Sequence, residues 1–311
     1  FVNETNKIFD LASPEAYTGL IDQARLSLTD SLVTLPINHK EVKEGLTAHA
    51  NHSTRTTSNS SDWAEYEMSN NSYKLEYTHV HNSTVLAVSL GQNQRKVNSD
   101  YMSADGSGND FSLGLSQELI PGLSVRGFAG YMKDDNDLER QTFTRASTAD
   151  NVGSDGWITG LGLGYSKDLN SLTFDFAVDA SYYNANVDSF EENNRNALDG
   201  LSVDKQEQEG MAYQAKAVVS SKITDKLKVQ TGLNVLYMPE ADKADVKAKV
   251  IEEKTWFNVE NPGIGETMVG LNAGAQYEIS KNMHIEVDGG LNQVDKSDSG
   301  YNTNLSFTYK F

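Results

Sequence analysis

The sequence predicts an all-β fold: a transmembrane antiparallel β-barrel of about 12 strands with an N-terminal α-helix inside the lumen. Three observations predict it. Apolar and polar residues alternate with period two from about residue 44 to the end, the connections alternate between tight turns and long polar segments, and a single stretch of helical spacing precedes them.

The helix comes first. Ser13-Pro14-Glu15 supplies an N-cap, a first-turn proline and a first-turn acid ahead of Ala16, Tyr17, Leu20, Ile21, Ala24 and Leu28, a spacing that stops by Pro36. One helix is expected from about residue 14 to 33. At about 1.5 Å per residue it reaches roughly 30 Å, about the hydrocarbon thickness of a bilayer and enough to traverse the lumen.

The strands are expected near 45–55, 72–80, 84–94, 109–118, 123–133, 155–167, 171–185, 209–222, 227–238, 265–279, 283–294 and 302–311. The cleanest is 172–183, where Leu172, Phe174, Phe176, Val178, Ala180 and Tyr182 oppose Thr173, Asp175, Ala177, Asp179 and Ser181. Met283, Ile285, Val287 and Leu291 oppose His284, Glu286, Asp288 and Asn292 in the same way. Each such strand has a dry face for lipid and a wet face for the lumen. Tight turns fall at 81–83, 120–122, 168–170, 224–226 and 280–282, and long polar segments near 56–71, 95–108, 134–154, 186–208 and 239–264. Short turns on one rim and long loops on the other are the asymmetry of outer-membrane barrels, with the short turns in the periplasm. Tyr73, Tyr77, Tyr131, Trp157, Tyr165, Tyr182, Tyr237 and Tyr277 sit near strand ends, as interfacial girdles require.

Composition narrows the function. With 26 basic against 44 acidic residues and a net charge of −18, the chain lacks the cationic surplus that phosphate backbones demand, so no nucleic-acid partner is expected. No apolar run has the length of a spanning helix, and the mean hydropathy is −0.53, as alternating strands would give. The absence of cysteine removes disulfides and thiolate metal sites. Phe1-Val2-Asn3-Glu4 does not read as a signal peptide, so a fragment of a longer chain is expected, divided into a linker with a pore-spanning helix over 1–40 and a barrel over 41–311.

The inward faces carry Lys74, Glu76, Arg126, Asp175, Asp179, Lys216, Lys228, Glu266, Glu286 and Asp288, expected to line the pore and to meet the helix. Gly114, Gly130, Gly232, Gly270, Gly274 and Gly290 also point inward, leaving room for a helix. Gly160-Leu161-Gly162-Leu163-Gly164 lies within a strand and is no phosphate loop. His49 and His52 fall on opposite faces, so neither a metal site nor a nucleophile and base pair is expected, and no cofactor is implied.

A lone linker helix with Ser13-Pro14-Glu15-Ala16-Tyr17, then about 12 alternating strands, then a terminal Tyr309-Lys310-Phe311, resembles the translocator domain of type V autotransporters over nearly the whole chain. The last strand, with Leu305, Phe307, Tyr309 and Phe311 on one face, is similar to the C-terminal signal read by the barrel assembly machinery. The resemblance implies an outer-membrane monomer that secretes or anchors its own N-terminal passenger at the bacterial surface and is not an enzyme. Some members of the family cut the linker inside the lumen at paired asparagines, whereas Asn3 and Asn6 in Val2-Asn3-Glu4-Thr5-Asn6-Lys7 are not adjacent. The alternatives are an outer-membrane hydrolase or a simple porin with a plugged lumen.

Overall fold

The computed structural model describes residues 17–33, 35–42, 44–57, 66–142, 146–193, 200–241, 245–259, 266–294 and 299–311. Helix α1 (Thr18–Ser31) is followed by β1 (Gly45–Thr57), β2 (Tyr66–His81), β3 (Thr84–Ser99), β4 (Met102–Ile120), β5 (Leu123–Gln141), β6 (Ala146–Leu169) and β7 (Leu172–Val187). Then come β8 (Phe190–Glu191), β9 (Leu201–Val203), β10 (Gln206–Lys222), β11 (Leu227–Tyr237), β12 (Val246–Val250), β13 (Phe257–Val259), β14 (Thr267–Ser280), β15 (Met283–Val294) and β16 (Ser299–Lys310). Twelve of these strands form a closed antiparallel barrel, in the order β1-β16-β15-β14-β11-β10-β7-β6-β5-β4-β3-β2. Closure by β1 on β16, from Gly45 opposite Lys310 to Thr56 opposite Ser299, satisfies the backbone groups that a free edge would leave in lipid.

All of the expected strands are present, and the predicted faces hold. Leu161 and Leu291 are each 70 % exposed, as residues against lipid must be when no lipid is included, while their neighbours on the strand turn inward. Tight turns are set by positive backbone φ at Asn82, Gly122 and Asn170, a conformation that glycine and asparagine tolerate. About 3.3 Å per residue puts Trp157 and Tyr165 of β6 roughly 26 Å apart along the strand, comparable to the apolar band of about 25 Å on such barrels.

The strands run further than their alternation indicates. The segments expected to be long polar loops at 95–108 and 134–154 are instead hairpin arms: β3 and β4 meet across Asp100 and Tyr101, and β5 and β6 pair as far as Gln141 opposite Ala146. At 24 residues β6 is more than twice the roughly 9–11 residues that cross a bilayer, so its N-terminal half stands beyond the membrane on the long-loop side. There both faces meet polar surroundings or the protein interior, and the lipid-driven alternation ends. The segments at 186–208 and 239–264 likewise contain a small sheet, ordered β13-β12-β9-β8.

Beyond the aromatic girdle the sidedness of the wall inverts. Val97, Met132, Leu138 and Val152 are buried on the inside, together with Leu201 and Val246 of the small sheet and Tyr17, Leu20, Ile21 and Leu28 of the helix. Lys133, Asp135, Asp137 and Glu139 face out. The chain therefore has a lipid-coated band with a polar lumen and, beyond it, a water-exposed cap with an ordinary apolar core.

Among the described residues helix α1 has 14 residues, and it ends at Ser31, two residues before the expected Val33. Roughly 21 Å of helix does not traverse the lumen alone. Non-helical chain from Leu32 onward, ending in a single 3-10 turn at His39–Glu41, completes the passage. The expected N-cap at Ser13 lies outside the described residues.

Candidate functional site

The occupied lumen is where the side chains of distant elements converge. The helix is buried on every side, its polar residues Asp22, Gln23, Arg25 and Ser27 as fully as Leu20 and Ile21. A helix without a wet face needs partners for each polar group. Asp22 accepts from the Tyr66 hydroxyl at 2.6 Å and pairs with Arg25 one turn along at 3.1 Å.

The C-terminal end is capped by the wall. Lys74 Nζ on β2 donates to the carbonyl oxygens of Asp30, Ser31 and Leu32 at 3.2, 2.8 and 3.1 Å, and Ser112 Oγ on β4 donates to Ser31 O at 2.9 Å. These are carbonyls that a helix end leaves unsatisfied, and a cation there also meets the negative end of the helix dipole. Below the cap the wall gives way to the chain. A Cβ on Gly114 would meet Val33 at 2.5 Å and Leu35 at 2.7 Å, and one on Gly156 would meet Leu28 at 2.9 Å. His39 Nε2 lies 2.7 Å from Ser116 Oγ, and Lys40 Nζ donates to Asp168 at 2.6 Å beside the β6–β7 turn.

The other end is held by a buried carboxylate in the cap. Glu192 is only 1 % exposed, and it accepts from Arg140 Nε and a terminal guanidinium nitrogen at 2.7 and 2.8 Å, from Ser147 Oγ at 3.0 Å, from Leu201 N at 2.8 Å and from the Tyr17 hydroxyl. Burial and the adjacent Glu192 charge push the Tyr17 hydroxyl well above its ordinary pKa. Burial opposes the Arg140 charge most strongly of any single cause, but its hydrogen bonds to Glu192, the Glu192 charge and Tyr17 together outweigh it and raise its pKa. The chain thus runs down the lumen from a clamp in the cap to the short-turn rim.

The sequence-predicted residues are distributed unevenly about this path. Lys74 touches the helix, and Glu76 lies buried on the same inward face. Arg126 and Asp179 form an ion pair between β5 and β7, with Nε at 3.2 Å from Oδ1. Asp175, Lys216, Lys228, Glu286 and Asp288 face inward lower in the barrel, where Glu286 accepts from Gln230 at 2.8 Å and Asp288 from Asn304 at 2.9 Å. Glu266 precedes β14 on the outer rim, and its carbonyl accepts from Met238 N at 2.7 Å. Of the inward glycines, Gly114 and Gly130 make room for the linker, whereas Gly232, Gly270, Gly274 and Gly290 make room for Asn272, Asn292, Asp288 and Asn302 of the wall itself. Leu305, Phe307, Tyr309 and Phe311 form an exposed row on β16 and just beyond it.

Sequence reasoning missed Glu192, Arg140 and Asp22. Each sits where no alternation marks it. Among the described residues no group of His, Asp and Glu could hold a metal ion, and His49 and His52 face opposite sides of β1, the latter against the Tyr301 ring at 5.8 Å.

A family model described as the autotransporter beta-domain matches residues 46–290. The fold is similar to the translocator domain of NalP from Neisseria meningitidis, at a TM-score of 0.71 and 13% identity, with 95% of this chain and 96% of that chain covered. It is also similar to the transport unit of AIDA-I from Escherichia coli, at 0.63 and 12% over 96% and 99% of the two chains. For the beta domain of the Bordetella autotransporter BrkA the values are 0.58 and 12%, over 87% and 100%. No curated protein matches the chain in sequence.

Proposed function

Since this chain belongs to the autotransporter beta-domain family, we propose that residues 1–40 are the linker of a passenger and residues 41–311 the barrel that delivers it, with α1 left in the lumen as plug and tether. The chain is an outer-membrane translocator domain, from a family that is not an enzyme family. The single observation that carries the proposal is the direction of the threaded chain. It enters at the Glu192 clamp in the cap and leaves at Lys40 on the short-turn rim, so any segment preceding Tyr17 starts at the extracellular mouth.

In this reading Lys74 and Ser112 hold the helix end. The inward charges Glu76, Arg126, Asp175, Asp179, Lys216, Glu286 and Asp288 keep the lumen wet and fixed in shape, and Glu266 lines only the outer rim. The row from Leu305 to Phe311 addresses the barrel assembly machinery, outer-membrane lipid coats the apolar band, and the barrel works as a monomer. For cleavage of the linker within the lumen, the support is the asparagine-bearing stretch Val2–Lys7 alone, which lies outside the described residues; an intact N-terminus by mass spectrometry after refolding would dismiss it.

Deletion of residues 1–36 tests the plug. In planar bilayers the truncated barrel should conduct severalfold more than the full chain, because helix and linker no longer fill the pore. Equal conductance would mean that the helix does not obstruct it, as in a simple porin.

A further inference from the structure

The apolar coat of the barrel is uneven. Outward apolar residues run from Leu172 to Tyr182 on β7 without a break, and from Trp157 to Tyr165 on β6 and Tyr301 to Tyr309 on β16 with one threonine in each. At about 3.3 Å per residue these runs measure roughly 33, 26 and 26 Å along the strand, enough for the apolar band of about 25 Å that such barrels present to lipid. On three adjacent strands the run is half as long. It covers only 46–50 on β1, 73–77 on β2 and 86–90 on β3, three outward residues on each, or about 13 Å. Barrel strands share a common tilt, so the same ratio holds for height across the membrane.

Polar side chains bound the short run on both sides. Towards the cap the next outward positions are His52, Asn71 and Gln92, with His52 Nδ1 at 2.8 Å from Asn71 Oδ1. Towards the short turns β2 continues with His79, whose Nδ1 lies 3.3 Å from a carboxylate oxygen of Glu44 just ahead of β1. Hydrocarbon offers such groups no partner, and burying them in it is unfavourable. Between the two edges the wall is hollowed. Ala48 and Ala50 floor a depression of about 580 Å³, flanked by Tyr73 and Leu75 on β2 and by Leu305 and Phe307 on β16.

We propose that β1, β2 and β3 hold a thinned patch of bilayer, in which the polar ester and headgroup layer of the lipid descends to His52, Asn71 and Gln92 in the outer leaflet and to His79 in the inner one. A membrane adapts to a short apolar surface by drawing its leaflets together, because the alternative leaves polar side chains in hydrocarbon. Lipid is the occupant that the surface fits. Closure leaves no strand edge here for a protein partner, and an apolar depression with polar edges complements a molecule that is apolar along its chain and polar at its ester region. Because β16 keeps the full run, the patch begins abruptly at the β1–β16 seam, and the strand pair that closes the barrel stands at a step in membrane thickness.

The chain has no cysteine, so a single introduced cysteine carries a nitroxide label without background. Q92C and L161C form a matched pair: both side chains face outward, eight residues from the short-turn ends of their strands at Thr84 and Leu169. The full chain is refolded into phosphatidylcholine vesicles and its folding checked by heat-modifiable mobility. Power-saturation spectroscopy then compares collision of the label with oxygen, which concentrates in hydrocarbon, and with a polar nickel chelate, which stays out of it. The nickel-to-oxygen ratio should be severalfold higher at Q92C than at L161C. H52C against V235C, seven and eight residues from Gly45 and Leu227, gives the same comparison should Q92C not fold. Equal ratios would mean a bilayer of ordinary thickness along β1–β3, and a label shielded from both reagents would mean a protein neighbour such as a second copy; either result overturns the proposal.

Discussion

Glu192 shows how much one side chain can hold in a small space. Its two oxygens satisfy the Arg140 guanidinium, the Tyr17 and Ser147 hydroxyls and the Leu201 amide, with no exposed surface to share the task with water. Glu192→Gln keeps the shape and removes the charge, leaving Arg140 buried and uncompensated. Its expected cost is about 3–5 kcal/mol of cap stability, in line with broken buried ion pairs, with earlier protease cleavage near Tyr17. Unchanged denaturation and proteolysis would show that water replaces the carboxylate. In the membrane band the decisive choice is between adjacent residues of β7: Phe176 faces lipid and Asp175 the lumen. Phe176→Arg should lose roughly 2–4 kcal/mol of folding free energy in vesicles, and Asp175→Arg clearly less. Equal losses would contradict the register.

At the scale of elements, the linker is held by fit as well as by hydrogen bonds. The Cβ position of Gly114 lies 2.5 Å from Val33 Cγ2, so two cysteines there would place their Cβ atoms no more than about 4 Å apart, within disulfide range. The double variant V33C/G114C should therefore oxidise spontaneously, without lowering the yield of folded barrel, as seen by a mobility shift reversed by reductant. Free thiols in a folded sample would place the segment away from β4. The strands teach the converse lesson. Their positions were legible because lipid on one side and water on the other force a two-residue period. That signal vanishes in 134–141, where Asp134 pairs with Arg95, Asn136 donates to Val152 O at 3.0 Å and Arg140 meets Glu192. Polar residues on both faces look like a loop in sequence, although the ladder continues.

For the whole molecule, closure is the critical event, because β1 and β16 are farthest apart in the chain and their pairing removes both edges at once. Phe311 extends that seam: its amide donates to Glu44 O at 3.1 Å and its ring lies 6.5 Å from Tyr77. Deleting Phe311 should reduce the surface-exposed barrel severalfold and leave periplasmic degradation products, measured by outer-membrane fractionation. Undiminished surface levels would mean that the terminal residue is not needed for insertion.

The sequence by itself determined the barrel, its approximate strand number, the lipid-facing side of each strand, and the presence of one helix ahead of them. Each follows from solvent contrast acting on neighbouring residues, which leaves a period to be read. Only the tertiary structure decided the length of the hairpins beyond the membrane, the inverted core of the cap, and the end of the helix at Ser31. It also decided which inward residues meet the linker: Lys74 and Gly114 do, whereas Gly270 and Gly290 accommodate wall side chains. The clamp on Tyr17 joins residues 175 apart in the chain, and contacts of that range follow from the way the barrel closes around its linker, which no local pattern records.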